Sequence, residues 1–205
     1  MTPPPGRFIV LEGGEGCGKS TQAARLAGAL GAVLTREPGG TPAGEAMRAL
    51  LLDPALPPLA ARAEVLLLLA ARAQHVTEVI APALAAGRDV VCDRFDGSTL
   101  AYQGWGRGFA PEELAELSAW ATGGLVADRV IYLRVSPGVA ASRMAARGRR
   151  TDRLEGEGDA FFDRVAAGFE ALAAAEPDRW RVVDGDGGVD EVAVAVAVAA
   201  RPGPS

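Results

Sequence analysis

The chain has 205 residues, which is enough for one domain with a sizeable hydrophobic core. Hydrophobic residues make up 49% of the chain and charged residues 23%, a balance that excludes disordered, collagen-like and fibrous proteins. The net charge of −5 disfavours nucleic-acid and anionic-membrane partners, and the apolar runs are too short or too interrupted to span a membrane, so we expect a soluble, cytoplasmic protein.

Short apolar runs alternate along the chain with segments of helical periodicity, which is typical of strands connected by helices. The predicted strands are Arg7–Glu12, Ala32–Thr35, Asp89–Asp93, Val130–Val135 and Trp180–Asp184. The predicted helices are Thr21–Leu30, Pro42–Leu52, Leu59–Ala86, Val139–Arg147 and a last helix that begins near Val189. Strands that are continuous apolar runs are covered on both faces, so the sequence predicts a single α/β domain over residues 1–205 with a parallel sheet flanked by helices.

Two further expectations concern the long predicted helix that ends before Gly87. Its Ala/Leu-rich composition predicts a helix that is buried or faces a dimer partner, and Pro82 is a candidate kink. It also carries His75, the only histidine of the chain, for which we expect a supporting or surface position. Nucleophilic triads are therefore disfavoured. The two cysteines, Cys17 and Cys92, have no disulfide or metal spacing and are predicted to be a small loop residue and a buried strand thiol.

The segment from Gly13 to Ser20 reads GGEGCGKS and matches the pattern G-x-x-x-x-G-K-[ST] directly between a predicted strand and a predicted helix. In such a loop the backbone N–H groups cradle phosphate oxygens, Lys19 bridges the β- and γ-phosphates, and Ser20 offers its hydroxyl to Mg²⁺. Of the 21 basic residues, 20 are arginine, and Lys19 is the only lysine. The alternative, a plain glycine-rich turn, does not explain why the one ammonium group stands here.

Two charged segments accompany this loop. The third predicted strand ends in Asp93 and Arg94, at the edge of the sheet where ligands bind, so Asp93 is a candidate for Mg²⁺ and Arg94 for an acceptor phosphate, unless the two are a local ion pair. A basic cluster follows the fourth strand and consists of Arg143, Arg147, Arg149, Arg150 and Arg153, with Asp152 among them. We interpret residues 147–158 as a short lid that places arginines over transferring phosphates; the alternative is a solvated basic face.

At this point the sequence resembles the thymidylate kinase family of P-loop nucleoside monophosphate kinases, in its bacterial form. The resemblance extends over nearly the whole chain. It rests on the residues 8–13 with the phosphate loop, TREPGGT at 35–41, AARAQH at 70–75, DRF at 93–95 with Ser98, AYQG at 101–104, and DRLE at 152–155. It implies a five-stranded parallel sheet, Mg²⁺-dependent transfer of the γ-phosphate of ATP to dTMP, and a homodimer.

The resemblance also implies roles for individual residues. Catalytic roles fall to Lys19, Arg94, Arg149 and Arg153, and metal binding to Ser20 and Asp93. Binding of ATP falls to Gly13, Gly14, Glu15, Gly16, Cys17, Gly18, Lys19, Ser20, Thr21 and Asp184. Binding of dTMP falls to Glu15 at the 3′-hydroxyl, Arg94 at the phosphate and Arg72 at a thymine carbonyl, with Arg36, Leu68, Ser98, Thr99, Tyr102 and Gln103 lining the pocket.

Gly16 stands where some relatives place an arginine, and the resemblance then implies that the lid arginines supply this charge. Two positions depart from the family pattern. Leu68 stands where the family usually has a phenylalanine that stacks on thymine. Arg134 replaces a common acidic residue. Two other functions stay open from the residues alone: a P-loop kinase with a different small-molecule acceptor, and an ATP-binding module without turnover. The first would not need Arg72, and the second would leave the acceptor-side arginines idle.

Overall fold

The computed structural model describes residues 4–148, 153 and 157–201, with the side chain of residue 147 left out. At its centre is a five-stranded sheet in the order β2-β3-β1-β4-β5, and all neighbouring strands are parallel. The strands are β1 (Phe8–Glu12), β2 (Val33–Arg36), β3 (Val90–Asp93), β4 (Arg129–Arg134) and β5 (Trp180–Asp184). The predicted α/β fold with a parallel sheet flanked by helices is confirmed.

The alternation of side chains along the strands divides the core into two layers. In β1, Phe8 and Val10 point to one face, and Ile9 and Leu11 to the other, and all four are buried. The Ile9 face packs on Leu26 and other apolar residues of α1 (Lys19–Leu30) and on α9 (Val189–Ala199). Continuous apolar strands are therefore required, because a polar residue on either face would enter a core.

The remaining helices complete the two layers and the rim of the sheet. The Phe8 face packs on residues of α8 (Asp159–Ala175) and of two π-helical segments, Val76–Ile80 and Leu100–Gly106. The other helices are α2 (Pro42–Leu52), α3 (Ala61–His75), α4 (Ala81–Ala85), α5 (Asp96–Thr99), α6 (Pro111–Thr122) and α7 (Pro137–Arg147).

The predicted long helix is formed by α3, the π-helical segment Val76–Ile80 and α4, which continue one another over Ala61–Ala85. Pro82 lies just after the π-helical segment, whose wider turn lets the N–H of Ala81 bond the carbonyl of Val76. By length and composition this helix could cross a membrane, a test that core helices of globular proteins also pass. It carries three buried polar residues, Glu64, Arg72 and His75, that are bonded within the protein.

Four helical segments were not predicted, namely α5, the π-helical segment Leu100–Gly106, α6 and α8. The signal was present in α8, which spaces Phe161, Val165, Phe169 and Ala173 four residues apart and buries all four. Other boundaries differ by one or two residues, as at β1, which begins at Phe8 rather than Arg7, and at α1, which begins at Lys19 rather than Thr21.

Candidate active site

A cleft of about 510 Å³ opens at the carboxyl ends of β1, β2 and β3. Because β1 lies between β3 and β4 in the sheet, the loop that follows it enters the crevice where the strand order reverses, which is where open parallel sheets bind ligands. The predicted site residues that line the cleft are Glu15, Gly16, Lys19, Ser20, Arg36, Leu68, Arg72, Asp93, Arg94, Ser98, Thr99, Tyr102 and Gln103.

The phosphate loop passes from β1 into α1 and encloses Lys19. The ammonium Nζ donates to the carbonyl oxygens of Gly13, at 2.9 Å, and Gly14, at 2.6 Å, and the side chain is 6% exposed. Gly16 has φ 72°, and a Cβ there would lie 2.5 Å from the carbonyl oxygen of Ala140 in α7, so the loop excludes a side chain at this position. The only lysine thus lies inside a loop whose backbone shape needs glycine.

Asp93 and Ser20 meet at the start of α1. Ser20 Oγ donates to Asp93 Oδ2 over 2.5 Å, while Asp93 Oδ1 is buried without a hydrogen-bond partner among the described residues. A buried, unbonded carboxylate oxygen is unfavourable unless a ligand completes it. Oxygen donors of this kind suit a hard cation such as Mg²⁺. The described residues hold no cluster of three or more metal-ligand side chains, and Mg²⁺ is commonly held by one or two protein oxygens plus phosphates.

Arg94 occupies the middle of the cleft in a left-handed backbone conformation, with φ 73°. Its guanidinium donates to Ser98 Oγ at 3.1 Å, to the Tyr102 hydroxyl at 3.3 Å and to the carboxylate of Glu15. The unusual backbone is maintained by an N–H bond from Arg94 to the carbonyl of Leu11 at 3.0 Å. Burial alone would lower the pKa of Arg94, but nearby carboxylates, Glu15 foremost, hold it well above its ordinary value, so the residue is a permanent cation.

Behind Arg94 lies Glu12, the last residue of β1, which is fully buried. Its Oε1 accepts from the backbone N–H groups of Phe95, at 2.9 Å, and Ser98, at 3.0 Å, and its Oε2 accepts from Ser98 Oγ at 2.5 Å. Burial raises the pKa of Glu12 to about 7, against the opposing effect of these bonds. Glu12 therefore fixes the turn that presents Arg94 and Ser98.

Arg72 projects from α3 and is 2% exposed. Its Nε donates to Glu37 Oε2 at 2.8 Å, its Nη1 to Ser118 Oγ at 3.1 Å, and its Nη2 to the Phe95 carbonyl and Thr99 Oγ1, both at 2.9 Å. Burial would lower the pKa of Arg72, and the carboxylate of Glu37 more than restores it. The predicted base-recognition residue is thus a fixed cation at the wall of the cleft.

Glu64 of α3 is another buried carboxylate, and it accepts hydrogen bonds from three residues beside the cleft. It accepts from Gln103 Nε2 at 2.9 Å, from Arg107 Nε at 2.9 Å and from Arg153 Nη2 at 3.0 Å. Arg153 also donates from Nε to the carbonyl of Leu51 at 2.8 Å. In this arrangement Arg153 contacts α2 and α3 and does not line the cleft.

Several other predicted site residues also lie away from the cleft wall. Asp184 ends β5 and accepts from the N–H of Asp186, and Gly13, Gly14, Cys17, Gly18 and Thr21 form the loop and the first turn of α1 without lining the cleft. Cys17 and Cys92 are both buried. Arg149 and most of the predicted lid at 147–158 lie outside the described residues. Arg134 forms a two-bond ion pair with Glu170, at 2.7 and 2.6 Å, on the surface.

The cleft also contains residues that the sequence reading did not assign to it, namely Glu37, Pro38, Arg48, Leu52 and Phe95. Glu37 and Pro38 belong to the segment TREPGGT, on which the family resemblance partly rests, so the sequence did contain a signal for these two residues. Nothing in the pattern of α2 marks Arg48, which lies among other exposed and half-buried positions.

Comparisons with known proteins identify the family to which the chain belongs. The family model for thymidylate kinase matches residues 11–196. The thymidylate kinase of Alkalilimnicola ehrlichii is 50% identical over 184 residues, covering 87% of this chain and 85% of its own. That of a Synechococcus species is 50% identical over 200 residues, covering 95% of both chains. The crystal structure of thymidylate kinase from Ehrlichia chaffeensis superimposes with a TM-score of 0.77 at 30% identity, covering 94% of this chain and 97% of that one.

Proposed function

The chain belongs to the thymidylate kinase family, and on that premise we propose how its cleft holds the two nucleotides of the reaction. The protein is an ATP-dependent kinase that phosphorylates dTMP, giving dTDP and ADP. The observation that carries the assignment of subsites is that Lys19 and Ser20 of the phosphate loop line the same cleft as Arg72 and Arg94.

ATP binds with its phosphates in the loop Gly13–Ser20. The loop N–H groups and the positive end of α1, a 12-residue helix, attract the phosphate oxygens. Lys19, which now donates to the carbonyls of its own loop, exchanges those bonds for bonds to the β- and γ-phosphates. The ammonium has oxygen partners both before and after the exchange, so its buried charge is never left unpaired. We assign Asp184, at the end of β5, to the adenine side.

Mg²⁺ fits the pair of Ser20 and Asp93. Ser20 Oγ and Asp93 Oδ1, which has no hydrogen-bond partner in the described part of the chain, are protein oxygens available to the cation or to its waters. When bound, Mg²⁺ neutralises the charge on the β- and γ-phosphate oxygens. Removal of the cation with a chelator is therefore expected to abolish turnover.

dTMP binds in the half of the cleft that lies toward α3. Arg94, a permanent cation, receives the acceptor phosphate, and Glu15 and Tyr102, which are bonded to each other at 3.0 Å, meet the sugar. Burial holds the pKa of Tyr102 above its ordinary value, so its phenol stays neutral. Arg72 donates to a carbonyl of the base. The rest of the pocket is formed by Arg36, Leu68, Ser98, Thr99 and Gln103.

The chemistry needs charge and alignment rather than a proton acceptor. The nucleophile is a phosphate oxygen of dTMP, and the second pKa of a phosphate monoester is about 6, so it is already ionised at neutral pH. Lys19, the loop N–H groups and Arg94 hold two anions in line and stabilise the charge on the migrating phosphoryl group. We propose that Arg149 and Arg153 add charge when the 147–158 segment covers the phosphates, which also excludes water.

The direct test is ADP release from ATP and Mg²⁺ with each nucleoside monophosphate in turn. We expect turnover with dTMP and much slower turnover with dGMP, dCMP and UMP, because Arg72 and Tyr102 select the base and the deoxyribose. Equal activity on UMP contradicts the proposed pocket.

We also propose that the protein is a homodimer. Leu66 of α3 is 61% exposed and Trp120 of α6 is 85% exposed, and these two helices pack against each other. Large apolar side chains exposed on neighbouring helices are typical of a protein–protein interface. Sedimentation of the wild type and of Trp120→Arg tests this: we expect a dimer that the substitution weakens, and a monomeric wild type contradicts it.

A further inference from the structure

His75, the only histidine of the chain, is fully buried between β2 and the loop that follows it. Its Nε2 lies 2.6 Å from Thr35 Oγ1, and its Nδ1 lies 3.1 Å from Glu37 Oε1. Gly40, at φ 81°, packs on the ring so closely that a Cβ there would lie 2.6 Å from Nε2. The imidazole therefore has a fixed position and two fixed partners.

The partners determine which nitrogen of the neutral ring carries the proton. The Glu37 carboxylate can only accept, so Nδ1 must be the donor toward it. In the neutral ring Nε2 then has a lone pair, which accepts from the hydroxyl of Thr35. The result is a directed chain from Thr35 to His75 to Glu37, and the other oxygen of Glu37 accepts from Nε of Arg72 at 2.8 Å.

We propose that His75 is a specificity-determining positioning residue, which holds the Glu37 carboxylate so that Arg72 presents an N–H to the carbonyl oxygen at position 4 of the pyrimidine. The inference rests on the proposed binding of dTMP beside Arg72. Of the five N–H donors of Arg72, four have partners among the described residues, and one on Nη1 is left for a ligand.

The physical basis is that one donor must distinguish two similar rings. Thymine has an acceptor oxygen at position 4, whereas cytosine has an amino donor there. A guanidinium held in one orientation is attracted by the first and repelled by the second. If Glu37 rotates, Nε of Arg72 loses its carboxylate partner, and only the bonds to Ser118, Phe95 and Thr99 still orient the guanidinium, so the free donor faces position 4 less precisely. Discrimination against dCMP then falls more than the overall rate does.

Two substitutions at one position separate positioning from packing. Asn places an amide N–H close to the location of Nδ1 and can still donate to Glu37, whereas Leu has similar bulk and no donor. We expect His75→Leu to lower the ratio of kcat/KM for dTMP over dCMP at least tenfold and His75→Asn to stay within about threefold of the wild type, with the melting temperatures of both measured in parallel. Equal ratios in wild type and His75→Leu, or an equal loss in both variants, would overturn the proposal.

The wild-type protein gives a second test that does not depend on how the variants fold. Because His75 is the only histidine, a tag-free sample labelled with ¹⁵N yields imidazole NMR signals from one ring alone. We expect the tautomer with the proton on Nδ1, and a shift of these signals on addition of dTMP but not on addition of ATP alone. A proton on Nε2 with Nδ1 bare, or signals that dTMP leaves in place, contradicts the proposal.

Different results contradict the proposed function and the proposed role of His75. If the wild type does not phosphorylate dTMP, the proposed function is wrong and the His75 ratio cannot be formed. If it does phosphorylate dTMP while the NMR signals and ratios show no link to His75, only the role of His75 is wrong.

Discussion

The hydroxyl of Ser98 donates to the buried carboxylate of Glu12 over 2.5 Å, and the same hydroxyl accepts from Arg94 at 3.1 Å. Ser98 therefore connects a buried acid to the arginine at the centre of the cleft. Burial raises the pKa of Glu12 from 4.5 to about 7, so this acid takes up or releases its proton within the range where the enzyme is assayed.

The first prediction concerns stability and pH. The folded protein binds the Glu12 proton more tightly than the unfolded chain does. This proton therefore stabilises the folded state fully below about pH 4.5, and the stabilisation is lost as the pH rises through about 7. Relative to Glu12→Gln, the wild type should lose up to about 3 kcal/mol of unfolding free energy across that window, as measured by urea titration. The control is Asp89→Asn. Arg7 holds the pKa of Asp89 low, so there the wild type loses stability as the pH falls. If the unfolding free energies of the wild type and of Glu12→Gln change with pH in parallel, the pKa of Glu12 is not raised in the folded protein.

The second prediction concerns Lys19. Its ammonium is the only cationic side chain in the loop, and Lys19→Ala is expected to lower kcat at least ~10³-fold. Lys19→Arg should fail nearly as badly, because a flat guanidinium does not fit where Nζ lies 2.6 Å from a loop carbonyl. Steady-state turnover measures both, with Arg25→Ala as the control, since Arg25 is an exposed residue of the same helix. Near-normal activity of Lys19→Arg refutes this prediction.

The third prediction separates binding from turnover. Arg94→Ala should raise KM for dTMP strongly, because it removes the cation that receives the acceptor phosphate. Arg153→Ala should mainly lower kcat, since its charge is assigned to the transition state. In the described structure Arg153 is bonded to Glu64 and Leu51, so it must leave these partners to act. If Arg153→Ala has wild-type kinetics and only a lower melting temperature, the role of Arg153 is structural.

The fourth prediction uses Leu68, which lines the cleft four residues before Arg72. An aromatic ring stacked on a base contributes roughly 1–3 kcal/mol, so Leu68→Phe is expected to tighten dTMP binding several-fold. The added volume opposes this gain by a comparable amount if the site is already full. Calorimetric titration of dTMP decides between them, with Leu66→Phe on the exposed side of α3 as the control. Unchanged or weaker binding in a folded variant means that residue 68 does not face the base, or that another residue already fills the space beside it.

The parts of the fold that follow local rules were predictable from sequence. The apolar run of β1 and the glycine spacing before Lys19 each determine a local structure without distant partners, and α2 begins at Pro42 and ends at Leu52 as predicted. The π-helical segment Leu100–Gly106 was not predicted, because no local sequence pattern marks turns whose N–H groups bond the carbonyl five residues back rather than four. The pairing of Glu37 with Arg72 joins residues 35 positions apart, and no local pattern records such a contact.

The contact between Gly16 and α7 has an evolutionary consequence. Some members of the family carry an arginine at this loop position, but here any side chain would enter the space of the Ala140 carbonyl and would also need a backbone at φ 72°. Such a replacement is therefore epistatic: it becomes tolerable only after α7 has moved or been rebuilt. In this chain a cationic side chain at position 16 of the loop therefore requires a second change in α7, and a single substitution at Gly16 does not supply it.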